Sequence, residues 1–288
     1  MNIWMKRAGF ALGVLAGVAM LGAFAIYLIS EHMLDRRFAI PRTTFKAVSS
    51  AETIARGKHL ATIAGCTHCH DLDLQGAQFP DLPPDSAIYA RNLRRVMQFY
   101  SDSDFEHLLR HGVKPDGHGV IVMPSDGYVY LDDGDVGALI AYLRSLPLDK
   151  ADTPAPRFGL YSRLGLILGM FQPEIEYMSD TKPPLDLGPR YAKGRHLALT
   201  ACAECHATAL TGHSDDPNFA PPDLSIVASY SRGDFVKLMR TGKAAGNREL
   251  GLMSQTARWR FAHFTDDEVA ALYDYLAARG AKLAETPQ

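Results

Sequence analysis

Ala55-Arg56-Gly57-Lys58-His59-Leu60-Ala61 leads into Cys66-Thr67-His68-Cys69-His70, and Ala192-Lys193-Gly194-Arg195-His196-Leu197-Ala198 leads into Cys202-Ala203-Glu204-Cys205-His206. The two CxxCH motifs use all four cysteines of the 288-residue chain. CxxCH is the signature for covalent attachment of c-type haem. Each thiol adds to a vinyl group of the porphyrin, and the adjoining histidine is then held beneath the iron. A zinc site would need its second cysteine pair about 15–20 residues on, whereas more than a hundred residues separate the pairs here. A redox disulfide explains one CxxC but not the histidine after both. The expectation is two covalently bound haem c groups, attached at Cys66, Cys69, Cys202 and Cys205, with His70 and His206 as proximal iron ligands.

The repeat extends outward from these motifs. Leu74 and Gly76 follow the first motif as Leu210 and Gly212 follow the second. Tyr100-Ser101 with Asp104-Phe105 matches Tyr230-Ser231 with Asp234-Phe235, and Arg110 with Gly112 matches Arg240 with Gly242. Asp135-Val136 matches Glu268-Val269. A unit near a hundred residues has been duplicated, too long for a solenoid repeat. Each unit reads as three main helices with long loops. Ser49 with Glu52 and Thr265 with Glu268 have capping-box spacing; Ser101, Ser231 and Asp132 stand at other helix starts, and Pro189 suits a first helical turn. Val136, Leu139, Ile140 and Leu143 form an i, i+3, i+4, i+7 stripe, repeated by Val269, Leu272, Tyr273 and Leu276. Pro147 is expected to end the first of these helices and Gly280 the second. The first helix of each unit is expected to run into its CxxCH.

Hydrophobic residues make up 47% of the chain and charged residues 22%, with a formal net charge of -2. That balance gives no case for nucleic acid as a partner. From Ser50 to Pro147 there are 8 Lys/Arg against 13 Asp/Glu; from Arg190 to Gln288 there are 12 against 11. The acidic first unit and near-neutral second suggest either ordinary solvated surface or two different docking faces. Ala8 to Ile29 carries no charge over 22 residues, long enough to cross a bilayer. Trp4 and Tyr27 flank it as interfacial aromatics, and Lys6 and Arg7 precede it, although Arg36 and Arg37 follow. Its length favours an uncleaved signal-anchor over a signal peptide cut after Ala25.

The reading divides the chain into a transmembrane signal-anchor at 1–30, a juxtamembrane linker at 31–48, a first haem domain at 49–147, a proline-rich linker at 148–188 and a second haem domain at 189–288. The apolar run Phe158 to Phe171 within the linker reads as a strap packed between the domains, with a membrane-surface or partner contact as the other reading. His59 and His196, on the helices that carry the motifs, are expected to hydrogen-bond near a haem edge.

The sixth iron ligand is usually methionine or a second histidine. Met123 lies 11 residues after Gly112, and Met253 lies 11 after Gly242. Both are placed in glycine-containing loops, and Pro124 stiffens the first. Met97, Met170, Met178 and Met239 read as packing. His107, His111, His118, His213 and His263 lack counterparts in the other unit, and His213 and His263 are the rivals to Met253.

With CTHCH at Cys66–His70, CAECH at Cys202–His206, Met123-Pro124 and the run Ala138–Pro147, the chain resembles the class I cytochrome c family, specifically membrane-anchored dihaem members with tandem domains. The resemblance covers about 50–147 and 189–280. It implies an all-α fold: an N-terminal transmembrane helix, then two helical haem domains. It also implies His/Met coordination, by His70 with Met123 and by His206 with Met253. The departure is Met253-Ser254, where the family often has Met-Pro.

Filled axial positions suit one-electron exchange. The expected function is a membrane-tethered electron carrier of the bacterial inner membrane, single-pass, with its haem domains in the periplasm. It would pass electrons from a dehydrogenase or quinol-oxidising complex to a soluble cytochrome or oxidase. Two alternatives stand beside it: a haem-dependent oxidoreductase, which would need an open iron or a spare reactive cysteine, and a structural electron-transfer subunit of a dehydrogenase complex. The chain is read as a carrier or subunit rather than a catalyst in itself.

Overall fold

The computed structural model describes residues 3–39, 43–80, 82–212 and 220–285; His213, the rival ligand named above, lies outside them. Among the described residues the fold is all-helical, with isolated β-bridges and no strands. Helix α1, Ile3–Leu34, stands apart from the domains over most of its length, its apolar side chains exposed along the run. Thirty-two residues span about 48 Å, more than a bilayer's hydrocarbon core requires.

The first unit contains α2, Ala51–Ile63; α3, Cys66–Cys69; α4, Leu93–Val96; α5, Asp102–His111; and α6, Asp133–Ser145. Helix α7, Leu160–Ile167, follows in the linker. The second unit contains α8, Ala192–His206; α9, Arg232–Thr241; α10, Leu252–Trp259; and α11, Asp266–Ala284. Most helix starts are where the sequence puts them. Ser101 and Thr265 close capping boxes with Asp104 and Glu268, and the Ser231 and Asp132 side chains accept from Asp234 and Asp135 backbone N–H groups. The box before α2 is shifted by one residue, to Ser50 with Thr53. Thr53 Oγ1 accepts from the Ser50 amide at 2.8 Å and replaces Glu52 in that role. Helix α11 runs through Gly280 to Ala284 instead of ending there.

In each unit the first and last helices cross in direct backbone contact, and the repeated glycine of the opening motif makes this possible. A Cβ on Gly57 would lie 1.9 Å from the Ala138 carbonyl oxygen, and one on Gly194 would lie 2.1 Å from that of Ala271. The middle helix is clamped to the last by a repeated arginine. Arg110 donates to the Leu131 carbonyl (2.7 Å) and Asp133 (2.7 Å); Arg240 donates to the Ala262 carbonyl (3.0 Å) and Asp266 (2.6 Å).

Helix α8 runs through its CxxCH as expected, but α2 stops at Ile63. Gly65 adopts a left-handed φ of 87° and α3 begins anew at Cys66. The guanidinium of Arg260, from the second unit, lies where a Gly65 Cβ would be, 2.7 Å away. Only glycine meets both demands. The tail of α1 is tied to the hairpin after α5: the Phe38 amide donates to the Gly117 carbonyl (2.9 Å), Arg37 to the Asp116 carbonyl (2.7 Å), and His118 to Asp35 (2.9 Å).

Candidate haem sites

The loop after each CxxCH is built alike. Asp71 and Leu74 have φ of 67° and 63°; Ala207 and Leu210 have 60° and 59°. Such left-handed non-glycine residues cost energy and cluster where the fold over-determines them. Here Leu74 and Leu210 are fully buried, so packing holds the turn. The Gly76 amide donates to the His70 carbonyl (2.8 Å) and the Gly212 amide to the His206 carbonyl (2.9 Å). The loops then bring a backbone oxygen to each histidine. His70 Nδ1–H donates to the Arg91 carbonyl at 2.7 Å, and His206 Nδ1–H donates to that of Pro222 at 2.8 Å. This fixes the tautomer and leaves each Nε2 lone pair free for a metal. Burial pushes both imidazoles below their ordinary range, so both are neutral at pH 7, the form a metal ligand requires.

Met123 shares a cavity of about 740 Å³ with Cys66, Cys69, His70, Leu93 and Tyr128, within the size range of cofactor pockets. In the second unit, Cys202 and Met253 belong to one apolar cluster with Leu210 and Leu224. Met123 lies in a bend before a 3-10 turn at Ser125–Tyr128, while Met253 lies in the first turn of α10 and not in an open loop. Ser254 does there what Pro124 does in the first unit. Its hydroxyl donates to the Gly242 carbonyl (2.5 Å) and accepts from the Leu250 amide (2.7 Å), fastening the turn that carries Met253. Met97 and Met239 are buried packing residues. His263 is exposed on the second unit's surface.

The two motifs meet at a shared seam. Arg260, 5% exposed, donates to the Glu204 carboxylate (2.7 Å), the Ile63 carbonyl (3.2 Å) and the Ala201 carbonyl (3.5 Å). One cation thus ties the ends of both motif helices and the Glu of CAECH. His68, inside CTHCH, stacks on Trp259 of the other unit at 4.9 Å. Tyr128 donates to the Ala64 carbonyl at 2.7 Å, just before the first motif. Arg260 carries no motif signature, and its role is visible only once the units are packed together.

Burial pushes the Cys66 and Cys202 thiols up to about 12 and Cys205 up to about 11. At pH 7 these thiols are protonated and neutral. A thioether carries no proton to lose and is at home in such a site. Paired cysteines and a neutral, oriented imidazole in each unit, with Met123 lining the same cavity as His70 in the first, fit covalent haem.

A family model for cytochrome c matches residues 54–147 and 191–279. The chain belongs to the cytochrome c family. Its cytochrome c domains imply covalently bound haem c. Among curated proteins, the chain is 28% identical over 283 residues to the fructose dehydrogenase cytochrome subunit of Gluconobacter japonicus, covering 87% of this chain and 57% of that protein. It is 26% identical to the gluconate 2-dehydrogenase cytochrome c subunit of Pantoea cypripedii (80% and 60%). It is 25% identical to the alcohol dehydrogenase (quinone) cytochrome c subunit of Gluconobacter oxydans (79% and 55%). The chain spans less than two thirds of the length of each.

Proposed function

We propose that the chain is a dihaem electron-transfer subunit that serves a membrane-bound dehydrogenase. It is anchored by α1 with its cytochrome c domains in the bacterial periplasm, and passes electrons to a downstream cytochrome or oxidase. The observation that carries this reading is the seam: both CxxCH motifs converge on Arg260, so two haems would lie side by side within one chain. The cytochrome subunits of sugar, sugar-acid and alcohol dehydrogenases among the relatives support a dehydrogenase as donor.

Haem c, when bound, supplies reversible one-electron exchange at iron. The chain does the rest. Cys66 and Cys69 in one domain, and Cys202 and Cys205 in the other, would fix the porphyrin. The carbonyls of Arg91 and Pro222 hold His70 and His206 in the ligating tautomer. Met123 and Met253 would close the distal faces, which favours the ferrous state and raises the potential. A packed, desolvated surround limits rearrangement as charge changes. Arg260, fixed between the motifs, offsets the Glu204 carboxylate, whose unpaired charge would disfavour an electron at either centre.

The test is purification from native membranes by a C-terminal tag. A dehydrogenase subunit recovered at constant ratio is expected, and intact mass should show two haems per chain, falling to one in Cys205→Ala. Recovery of the chain alone overturns the subunit reading, and a single haem in the parent overturns the dihaem one.

A further inference from the structure

The sequence left the α7 segment as a strap between the domains or a membrane-surface or partner contact; the helix packs against the end of α1. Arg163 makes the joint. It donates to Ser30 Oγ (2.8 Å), to Glu31 (2.6 Å) and to the Phe158 carbonyl (2.9 Å), and its guanidinium lies 4.4 Å from the centre of the Tyr27 ring. Ser30 is fully buried on a helix that is otherwise mostly exposed. The same segment is fastened to the first domain, where Ser162 and Ser86 hydroxyls pair at 2.8 Å and the Gly159 amide donates to Ser86 Oγ at 2.9 Å. So α7 is held rigidly between the anchor and the first haem domain.

Gly165 and Leu166 face inward. Outward, Leu160, Tyr161, Leu164, Leu168 and Met170 remain 49%, 73%, 39%, 67% and 77% exposed. Positions 160, 164 and 168 fall on one helical face. A contiguous apolar face of this kind marks an interaction surface. Its level on α1 names the occupant. The uncharged run of α1 ends at Ile29, and about 20 apolar residues fill the hydrocarbon core. Tyr27 to Glu31, the stretch that α7 touches, therefore stands at the bilayer boundary.

We propose that α7 is an interfacial membrane helix, seating Leu160, Tyr161, Leu164 and Leu168 in the headgroup–acyl boundary of the leaflet from which α1 emerges. The inference rests on reading α1 as membrane-spanning. Such helices bury their apolar face about 5–10 Å into the boundary. With two contacts on the lipid instead of one, the first domain cannot rotate freely about its tether. Leu34, the last residue of α1, lines the first haem cavity, so that cavity would be held beside the membrane.

The test uses the full-length haem-loaded protein in nanodiscs of phosphatidylethanolamine and phosphatidylglycerol, with a phospholipid carrying a carbene-generating group in its acyl chain. After illumination, peptide mass spectrometry reads the labelled segments. Label is expected on α1 and on the peptide spanning Leu164–Met170, and not on residues 281–285. Leu164→Glu with Leu168→Glu should cut label in that segment several-fold while α1 label and the haem spectrum stay unchanged. Label on α1 alone overturns the interfacial helix but spares the anchor. Label on neither overturns both. Cross-links from the segment to a second protein copy in place of lipid, or label that survives the double substitution, also overturn it.

Discussion

His59 of the first cytochrome c domain donates through Nε2 to both carboxylate oxygens of Glu268 in the second, at 2.9 and 3.0 Å. The repeat-equivalent residues pair in the opposite direction: His196 of the second domain with Asp135 of the first. The duplicated units have therefore closed on each other with an approximate two-fold relation. Each contributes a histidine from its motif helix and a carboxylate from the start of its last helix. Asp135 is fully buried and also takes Arg56 from its own domain.

The pairs make the seam sensitive to pH. The Glu268 hydrogen bond raises the His59 pKa above its ordinary value, and the Asp135 hydrogen bond does the same for His196. A histidine raised on folding adds stability that is complete below about pH 6.5 and lost as pH rises through its folded value. Burial works to raise Asp135 and Glu268, but their histidine partners outweigh it and both end lowered. Their contribution is lost instead as pH falls below about 4. Thermal unfolding followed across pH should show greatest stability between these limits. His59→Gln with His196→Gln should flatten the decline above pH 6.5; an unchanged slope counts against the pairs as its source.

Removing the seam cation has two readouts. Arg260→Leu leaves Glu204 and two backbone carbonyls without their partner. Losing hydrogen bonds to a charged group costs about 1.5–3 kcal/mol, seen as a lower denaturant midpoint. The Glu204 carboxylate left without its cation also stabilises ferric iron, so both haem potentials should fall in a spectroelectrochemical titration. A shift at one haem alone would show that the charge is not shared between them.

Met123→Ala is expected to abolish half of the near-infrared sulfur-to-iron band, lower one potential and open one iron to carbon monoxide. Met253→Ala should do the same at the other. Carbon monoxide binding by the parent protein would mark an open site and favour a catalyst over a carrier. Ser254→Ala should weaken, not remove, the second methionine signal, because the serine holds the turn and does not ligate.

Gly194→Ala places a methyl group 2.1 Å from the Ala271 oxygen and 2.6 Å from Tyr275 Cβ. Prying α8 from α11 should cost about 1–3 kcal/mol. Gly57→Ala should cost the same where α2 crosses α6. Urea titration of each variant checks this, and an unaffected midpoint would mean the crossing has slack.

The sequence made the local chemistry legible and left the long-range contacts hidden. CxxCH, the duplicated glycine and the capping residues report on their own neighbourhoods, so nearly every helix start could be read directly. His59 and His196 were visible as a repeated pair, but their partners lie 209 and 61 residues away. Nothing in a hydrophobic pattern says that two copies will face each other, so a haem-edge role was the expectation. Arg260 was one arginine among many until its bonds to Ile63, Ala201 and Glu204 placed it between the motifs. The α7 segment left two readings open for a related reason: amphipathicity shows that a face will be covered, not by what.

The juxtamembrane contacts bear on how this protein can be handled. Asp35, Arg37 and Phe38 hold the hairpin around Gly117, and Val120 beyond it leads to Met123 three residues on. A fragment begun after residue 39 would keep the four CxxCH cysteines, both motif histidines and both candidate methionines. It would still lack the clasp on the loop that carries its first methionine. Spectra and potentials measured on such a fragment would describe a loosened first domain, and a comparison with the full chain would read out how far the tether tunes the iron it stands beside.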